Sequence, residues 1–323
     1  MRILFAGTPA CAVPALKLLA ENFELCGILT NPPAPAGRSK KLMSSAVALA
    51  AEELKTRGIL AKTIPILTPQ KLDARFREET AGLNPDLLVC FAYGKIFGPK
   101  TMEIFPQGGI NIHPSLLPRW RGSAPVPAAL LAGDEFTGVS IQTIAPKTDS
   151  GKILAVNRIK IEPTDTAETL LERCAESCRP LLMSVLLDFE NMLKNAKPQN
   201  EKDAVYSSML KKEDGYIDWR SSATQIERQL RAFSPWPGCF TYKGGEKINI
   251  IEAKVYSASM DAILNDKKAG AILGTDKHSG ILVLTGKGIL SVSILQKQTK
   301  NKLFWKDFLN GSPSFLDGSF DVE

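Results

Sequence analysis

The sequence predicts an α/β protein in which a Rossmann-like, doubly wound sheet is followed by a small OB-like β-barrel domain. Strand-like and helix-like segments alternate through the first half of the chain, which is typical of a sheet with helices on both faces. Asp86 to Ala92 is a nearly continuous apolar run, as expected of a parallel strand that is covered on both sides. Beyond residue 205, closely spaced strand-like runs with glycine turns favour a small barrel.

The first half of the chain supplies the elements of the doubly wound sheet. Arg2 to Ala6 is predicted to be a buried strand, and Pro14 to Glu21 a helix with proline in its first turn. In chain order, the further predicted elements are a strand over Leu25–Thr30, a helix over Ala46–Arg57, and strands over Asp86–Ala92, Gly109–His113 and Gly138–Ile144. We place this first domain at residues 1–194.

A helical pattern closes the first domain, running from Thr166 to Lys194. Asp165 and Glu168 have the spacing of a capping pair at its start. Pro180 removes one backbone donor and clashes with the preceding turn, so we expect it to kink or split the helix.

A polar stretch, Asn195 to Asp203, has the composition of an interdomain linker. We therefore predict a linker at 195–205, a second domain at 206–312 and a loose tail at 313–323. The second domain is predicted to contain a helix near Ala223–Phe233 and strands over Ile248–Ala253, Gly270–Leu273, Ile281–Leu284 and Ile289–Leu295.

The composition is that of a globular protein with room for two cores. The chain has 323 residues, 44% of them hydrophobic and 23% charged. Since no run approaches the roughly 18 apolar residues of a membrane helix, we expect no membrane association. The first strand begins at the second residue, so we expect no targeting segment and a cytoplasmic location.

The cysteines, the net charge and the histidines limit which kinds of site the chain can contain. The six cysteines are scattered, and we expect them to be reduced and buried. Cys174 and Cys178 share a helix face, but without a second pair or a nearby histidine they predict no metal site. The net charge of +6 permits a polyanionic partner without establishing one. The chain has only two histidines, His113 and His278.

The loop after the first strand reads Gly7-Thr8-Pro9, which is not the Gly-x-Gly-x-x-Gly pattern of dinucleotide binding. A nicotinamide dehydrogenase is therefore not expected. Ligands of doubly wound sheets still bind beyond the carboxyl ends of the strands. One strand ends in Asn111-Ile112-His113, and side chains two apart in a strand share a face.

Those two side chains have complementary chemistry. Asn111 offers a carboxamide donor for an oxyanion, and His113 offers an imidazole that can transfer a proton. A later strand leads to Asp149, in a loop that we expect at the same sheet edge. Together the three could carry out acyl transfer without a covalent intermediate, although each alone could equally be a turn or capping residue.

The run from Asn111 to Pro125, with Thr148-Asp-Ser-Gly151 downstream, resembles the folate-dependent formyltransferase family. The resemblance is closest to the branch of the family that acts on a charged tRNA, and it covers nearly the whole chain. Further matching segments are Phe5–Pro9, Pro35–Lys41, Ala92–Gly94, Ile217–Trp219, Ile226–Phe233, Pro235–Gly238, Leu295–Gln296 and Phe308–Gly311.

The resemblance implies an enzyme that uses 10-formyltetrahydrofolate as its formyl donor. It implies no metal ion. The acceptor would be the α-amino group of methionine on initiator tRNA, and tetrahydrofolate would be released. The resemblance assigns catalysis to Asn111 and His113, as donors to the oxyanion, and to Asp149, which would orient the imidazole and help to move the amine proton. We expect the enzyme to act in translation initiation as a monomer.

The resemblance also implies two sets of binding residues. Folate contacts fall on Tyr93, Gly94, Ser115, Leu116, Leu117 and Pro118; for Leu116 and Leu117, core packing remains an alternative. Contacts to tRNA fall on Arg38, Lys40 and Lys41 in an inserted loop, and on Lys297, Lys300 and Lys302 in an acid-free run from Lys287 to Lys306. For the inserted loop, the alternative is a solvated surface patch.

The chain departs from the family pattern at four positions. Pro33 and Ala34 stand where the family usually has Asp-Arg, Pro127 replaces a usual glutamine, and Lys152 stands where an acidic residue is frequent. None of these is among the three candidate catalytic residues, so they bear on tRNA contact and folate fit.

Three other functions would account for part of the sequence. A formyltetrahydrofolate hydrolase would share the Asn, His and Asp but not need the basic loop around Arg38. A sugar-amine formyltransferase would keep both domains, and only the same loop favours tRNA over it. A noncatalytic RNA-binding protein would leave Asn111, His113 and Asp149 unexplained, and its barrel lacks an evident aromatic stacking face.

Overall fold

A computed structural model describes residues 1–36, 41–257 and 267–322 of the chain. They form two compact units. The first contains Met1–Pro125, Phe136–Lys160 and Leu171–Ser207, and the second contains the described residues of Val126–Glu135, Ile161–Leu170 and Ser208–Glu323. Residues 195–205, predicted as a linker, thus belong to the first unit, and two short segments from within the predicted first domain belong to the second.

The first unit is built on one large, mostly parallel sheet. The strands of the first unit, in this sheet and in two smaller pairs, are β1 (Arg2–Gly7), β2 (Glu24–Leu29), β3 (Ala34–Ala36), β4 (Lys41–Met43), β5 (Ile66–Leu67), β6 (Leu87–Phe91), β7 (Gly109–His113), β8 (Arg121–Gly122), β9 (Phe136–Thr143), β10 (Ile153–Lys160) and β11 (Tyr206–Ser207). The large sheet has the order β10-β9-β7-β6-β1-β2-β5, while β3 pairs with β4, and β8 with β11. All five residues of β6 are buried, as its apolar run predicts.

One strand runs against the expectation of a continuing parallel series. β7 pairs in parallel with β6, but β9 is antiparallel to β7, and β10 is antiparallel to β9. The reversed strand β9 lies next to the edge strand β10, and mixed sheets of this kind are common among α/β folds. The consequence is that the end of β9, at Thr143, lies beside Ile110 near the start of β7.

Two helices of the first unit begin at a capping side chain. Ser45 accepts a hydrogen bond from the Ala48 N–H at the start of one helix, and Asp73 accepts one from Phe76 at the start of the next. Pro180 lies inside a continuous helix, and the expected split comes only after Leu187. The helices are α1 (Val13–Asn22), α2 (Ala46–Thr56), α3 (Ala74–Ala81), α4 (Pro99–Met102), α5 (Pro125–Ala132), α6 (Ala167–Leu187), α7 (Phe189–Lys194), α8 (Ala223–Ala232) and α9 (Trp305–Asn310).

The second unit contains a six-stranded antiparallel sheet. Its strands are β12 (Cys239–Lys243), β13 (Glu246–Tyr256), β14 (Ile272–Asp276), β15 (Gly280–Leu284), β16 (Ile289–Lys297) and β17 (Leu303–Phe304). They have the order β12-β13-β16-β15-β14, with β17 also paired to β16. The predicted fold class, a Rossmann-like doubly wound sheet followed by a small OB-like β-barrel domain, is confirmed by the mixed parallel sheet with helices in the first unit and the antiparallel sheet in the second.

The end of the chain differs from the loose tail that the sequence suggests. Phe315 and Phe320 are buried, and the Phe320 ring stacks on Trp219 with centroids 4.9 Å apart and planes 5° from parallel. The Phe320 N–H also donates to the Gly270 carbonyl at 2.9 Å. Two aromatic side chains among polar and small residues suffice to bind this segment to the second unit.

Phe320→Ala is therefore expected to lower the free energy of unfolding of the second unit by about 3–5 kcal/mol, since a fully buried ring is lost from a stacked pair. Unfolding in urea, monitored by tryptophan fluorescence, measures the change in this free energy. Val322→Ala is the control, because Val322 is 41% exposed, and a surface change of this kind stays within about 0.5 kcal/mol. Equal, small effects of the two variants would restore the loose-tail interpretation.

Five of the six cysteines are buried, and Cys11 is half-buried. Burial raises the pKa of the Cys178 thiol to about 12. Within the described residues, no helix has the length and apolar character that a membrane span requires.

Candidate active site

The candidate site is built on two paired strands. In the register of β7 with β9, Asn111 lies opposite Gln142 and His113 lies opposite Ser140. Because side chains two apart share a face and cross-strand partners lie on the same side, these four polar side chains form one patch on the sheet. His113, Ser140 and Gln142 are buried, which is unusual for polar groups and indicates that they are hydrogen-bonded.

Asp149 reaches this patch from the loop between β9 and β10. The loop returns over the strands, so that Asp149 Oδ1 lies 2.9 Å from Gln142 Nε2, 3.3 Å from Asn111 Nδ2 and 3.6 Å from His113 Nδ1. The second oxygen, Oδ2, accepts from the Gly122 N–H at 2.8 Å. The carboxyl group is thus oriented by donors on both oxygens, and Oδ1 faces both of the other candidate catalytic residues.

The backbone around the site adopts unusual conformations. Asp149 has φ +49° and Trp120 has φ +62°, both in the left-handed region that costs a non-glycine residue on the order of 1–3 kcal/mol. Gly151 approaches β9 so closely that a Cβ would lie 1.7 Å from the Thr143 carbonyl oxygen, so only glycine fits. Such strain persists where surrounding contacts hold it in place.

Both ring nitrogens of His113 face acceptors. Nε2 lies 2.8 Å from the Trp120 carbonyl oxygen, and Nδ1 faces Asp149 Oδ1. A carbonyl can only accept, so the hydrogen-bond network assigns a proton to Nε2. Nδ1 and Asp149 Oδ1 are 3.6 Å apart, which is beyond hydrogen-bond distance, so the contact of Nε2 with the Trp120 carbonyl is the one that orients the ring.

The hydroxyl groups nearest the site are occupied in supporting the next loop. Ser140 Oγ donates to the Ser115 carbonyl at 2.7 Å and accepts from the Leu117 N–H at 3.1 Å, while Ser115 Oγ donates to the Arg119 carbonyl at 2.7 Å. The arrangement therefore offers amide and imidazole donors with a carboxylate, which suits proton transfer and oxyanion stabilisation in acyl transfer.

The candidate folate residues fall into two groups. Ser115 and Leu117 are buried in the loop after β7, while Leu116 is half-buried. Tyr93 is also buried: its ring packs in the core of the first unit beside Phe97. Because Tyr93 is only 1% exposed, its side chain is not accessible to a ligand, and its main-chain carbonyl already accepts hydrogen bonds from Thr8 and Asn31. The remaining two, Gly94 and Pro118, are exposed and half-buried respectively.

The candidate tRNA residues are only partly described. Arg38 and Lys40 lie outside the described residues, and Lys41 is exposed at the start of β4. The other three lie at the end of β16 and in the turn to β17: Lys297 is half-buried, and Lys300 and Lys302 are exposed. Lys297 forms an ion pair at 3.5 Å with Glu246 of β13, so the acid-free run meets an acid from elsewhere in the sequence.

Sequence reasoning missed the groups that support the site. Ser140 and Gln142 alternate with apolar residues in β9, and this polar pair on one strand face was the available signal. Arg121 is fully buried and binds Gln199, Glu201 and Tyr206, which no local pattern indicates. Hydrogen bonds from Arg121 and from Lys147 lower the pKa of the Glu201 carboxyl to about 2. Across the described ranges, no group of His, Cys, Asp and Glu side chains is arranged to hold a metal ion.

Two family models match the chain. One, described as formyl transferase, matches residues 1–186, and the other, described as formyl transferase, C-terminal domain, matches residues 209–313. The methionyl-tRNA formyltransferase of Treponema denticola is 64% identical over 322 residues, covering all of both chains, and that of Treponema pallidum is 47% identical over the same length.

Solved structures share the fold at low identity. An N-formyltransferase from Helicobacter canadensis, in complex with folinic acid and dTDP-3-aminofucose, has a TM-score of 0.63 at 18% identity, covering 92% of this chain and 99% of its own. HypX from Aquifex aeolicus in complex with tetrahydrofolic acid has a TM-score of 0.61 at 16% identity; it covers 99% of this chain, which spans about half (48%) of HypX.

Proposed function

The chain belongs to the methionyl-tRNA formyltransferase family, and on that premise we propose that it transfers the formyl group of 10-formyltetrahydrofolate to the α-amino group of methionine on initiator tRNA. The observation that carries the proposal is the meeting of Asn111 and His113 at one carboxylate oxygen of Asp149, in a chain whose full-length relatives bear that name. We propose that the enzyme acts in the cytoplasm, as a monomer, in translation initiation.

In the proposed reaction, the free amine attacks the formyl carbon and the carbonyl oxygen gains negative charge. Asn111 Nδ2 and a protonated His113 donate hydrogen bonds to that oxygen, and His113 does so by turning its Nε2–H from the Trp120 carbonyl to the substrate. The 3.3 Å separation of Asn111 Nδ2 from Asp149 is long for a hydrogen bond, which supports a donor that can turn to a substrate. A lost oxyanion donor typically costs about 2.7–4 kcal/mol of transition-state stabilisation.

Asp149 is proposed to orient the imidazole and to help to remove the proton of the attacking amine. Its shared oxygen lies 3.6 Å from His113 Nδ1, close enough for a small movement to join them. Because Asp149 and His113 are largely buried, their interaction is little screened by water. Holding both substrates in register contributes roughly 7–11 kcal/mol in well-oriented reactions, so positioning is expected to matter as much as any one side chain.

For the formyl donor, we propose contacts from the 115–118 loop and from Gly94. The backbone of the 115–118 loop is held by the Ser140 hydroxyl, which donates to the Ser115 carbonyl and accepts from the Leu117 N–H. The burial of Tyr93 leaves its neighbours Ala92 and Gly94, both exposed with positive φ, as the parts of that segment that a ligand can touch. The donor supplies the electrophilic formyl carbon when it is bound.

For the acceptor, we propose that tRNA phosphates contact Arg38, Lys40 and Lys41, and, in the second unit, Lys297, Lys300 and Lys302. The exposure of Lys41, Lys300 and Lys302 supports this assignment. Phosphate contacts release counterions, so log affinity should fall linearly with log salt.

A formyl-transfer assay tests the proposal. The purified chain is incubated with 10-formyltetrahydrofolate and either initiator methionyl-tRNA, a dTDP-linked amino sugar or no acceptor. We expect formyl-methionyl-tRNA alone, and we expect Arg38→Ala to raise the KM for methionyl-tRNA without changing that for the folate. Formylation of the sugar, or release of free formate without an acceptor, would replace the proposed reaction by that of a sugar formyltransferase or a hydrolase.

A further inference from the structure

The loop that carries Asp149 is contacted by a residue from a distant part of the chain. Gln199 Nε2 donates to the main-chain oxygen of Asp149 at 2.9 Å and to that of Gly151 at 2.7 Å. Gln142 Oε1 lies 3.1 Å from the same nitrogen. One carboxamide therefore contacts the carbonyl of the left-handed residue, the carbonyl two residues further on, and the side chain that binds the Asp149 carboxylate.

Gln199 is itself held from the other side. Its Oε1 accepts from Arg121 Nε at 3.0 Å, and the fully buried Arg121 donates in addition to Glu201 at 2.7 Å and to Tyr206 at 3.1 Å. A buried guanidinium with all of its partners in one short segment is costly to rearrange. The amide of Gln199 is thereby fixed with its donor end toward the loop of Asp149.

The segment around Gln199 is tied to the first unit at both ends. Lys197 exchanges two backbone hydrogen bonds with Ile153, at 2.8 and 2.9 Å. At the other end, β11 pairs with β8, the strand whose Gly122 N–H binds the second oxygen of Asp149. Gln142, which binds Oδ1 of the carboxylate, is thus contacted by Gln199, and Gly122, which binds Oδ2, is paired with β11.

We infer that Gln199 is a positioning residue for the proposed reaction: it holds the backbone of residues 149–151 so that the Asp149 carboxylate meets His113 and Asn111. This inference rests on the proposed function, because it assigns to Gln199 an effect that is exerted through Asp149. It gives the predicted interdomain linker a part in catalysis. Gln199 touches no reacting atom, so its loss should lower kcat and leave substrate binding intact.

The kinetic test compares Gln199→Ala, Gln199→Glu and Asn200→Ala in the full chain. Gln199→Glu keeps an acceptor for Arg121 but presents oxygen instead of N–H to the two carbonyl groups. Asn200→Ala is the matched control, since the Asn200 amide contacts only its own turn, at Lys202 and Asp203. We expect both Gln199 variants to lower kcat roughly 10- to 100-fold with KM unchanged for both substrates, as a small misplacement does, and Asn200→Ala to match the wild type.

A second readout follows the geometry without requiring activity. The chain has two histidines, so ¹⁵N-histidine labelling gives NMR signals from two imidazole rings, with His278 in the second unit as an internal reference. Asp149→Ala shows what His113 signals become when the carboxylate is lost. We expect Gln199→Ala to move the His113 signals toward those values and to leave His278 unchanged.

The outcomes separate this inference from the proposed function. If the wild type transfers no formyl group to methionyl-tRNA, the proposed function fails, and the imidazole signals still decide the role of Gln199. If Asp149→Ala moves the His113 signals and Gln199→Ala does not, the inference is overturned, whatever happens to kcat. Unchanged kcat in Gln199→Glu, with thermal unfolding like that of the wild type, would also overturn it.

Discussion

His113→Ala is expected to lower kcat for formyl transfer by roughly 10² to 10⁴-fold, the range that a positioned acid–base group contributes. The imidazole is buried between the Trp120 carbonyl and Asp149, so no neighbouring side chain replaces its N–H when the ring is removed. The KM for each substrate should change little. Single-turnover formylation of methionyl-tRNA, with both substrates saturating, measures the effect on the transfer step.

His278→Ala controls for the loss of an imidazole, because His278 is exposed in the second unit, and it should retain wild-type activity. Partial recovery of His113→Ala on adding free imidazole would support a chemical role for the ring. A loss of less than about 10-fold would fall below the usual contribution of such a group and would remove His113 from the proposed mechanism.

Asp149→Asn is expected to lower kcat by roughly 10³ to 10⁴-fold, the size of the loss when an amide replaces the carboxylate that orients a catalytic histidine. The N–H groups of Gln142 and Gly122, with Asn111 nearby, face the two oxygens of Asp149. An asparagine must turn its own NH₂ group toward one of these donors, so the pattern cannot be satisfied. Asparagine tolerates a left-handed backbone well, so the loop should keep its conformation at φ +49°.

The same assay with Asp317→Asn, an exposed aspartate of the second unit, controls for the loss of one negative charge. Thermal unfolding of Asp149→Asn should remain near that of the wild type, which separates lost chemistry from lost structure. Retention of more than a tenth of the wild-type kcat by a folded Asp149→Asn would exclude the carboxylate from orienting His113.

Local patterns were sufficient for the elements whose burial is uniform. The apolar run at Asp86–Ala92 predicts β6, which is buried throughout, and the spacing of Asn111 and His113 predicts that they share a strand face. The direction of β9 could not be predicted in this way. Its apolar and polar alternation is the same whether its neighbour runs parallel or antiparallel, because a side-chain period of two carries no sign of direction.

The sequence therefore predicted which residues form the candidate site, but it did not predict how the strands and loops bring them together. The sequence expectation brought Asp149 to Asn111 and His113 at the carboxyl ends of parallel strands. In the structure, a loop that follows an antiparallel strand folds back to the same two residues. Asp149 remains a candidate because the motif that predicts it is independent of the path by which the chain returns.

The sequence by itself determined the α/β fold class, the buried strands and the candidate residues for acyl-transfer chemistry, since these depend on composition, periodicity and short motifs. Tertiary structure alone decided which residues hold that chemistry in place. Gln199 is 50 residues from Asp149, and Phe320 is about 100 residues from Trp219. Such contacts form only when folding brings distant segments together, and no local pattern of polar or aromatic residues specifies their partners.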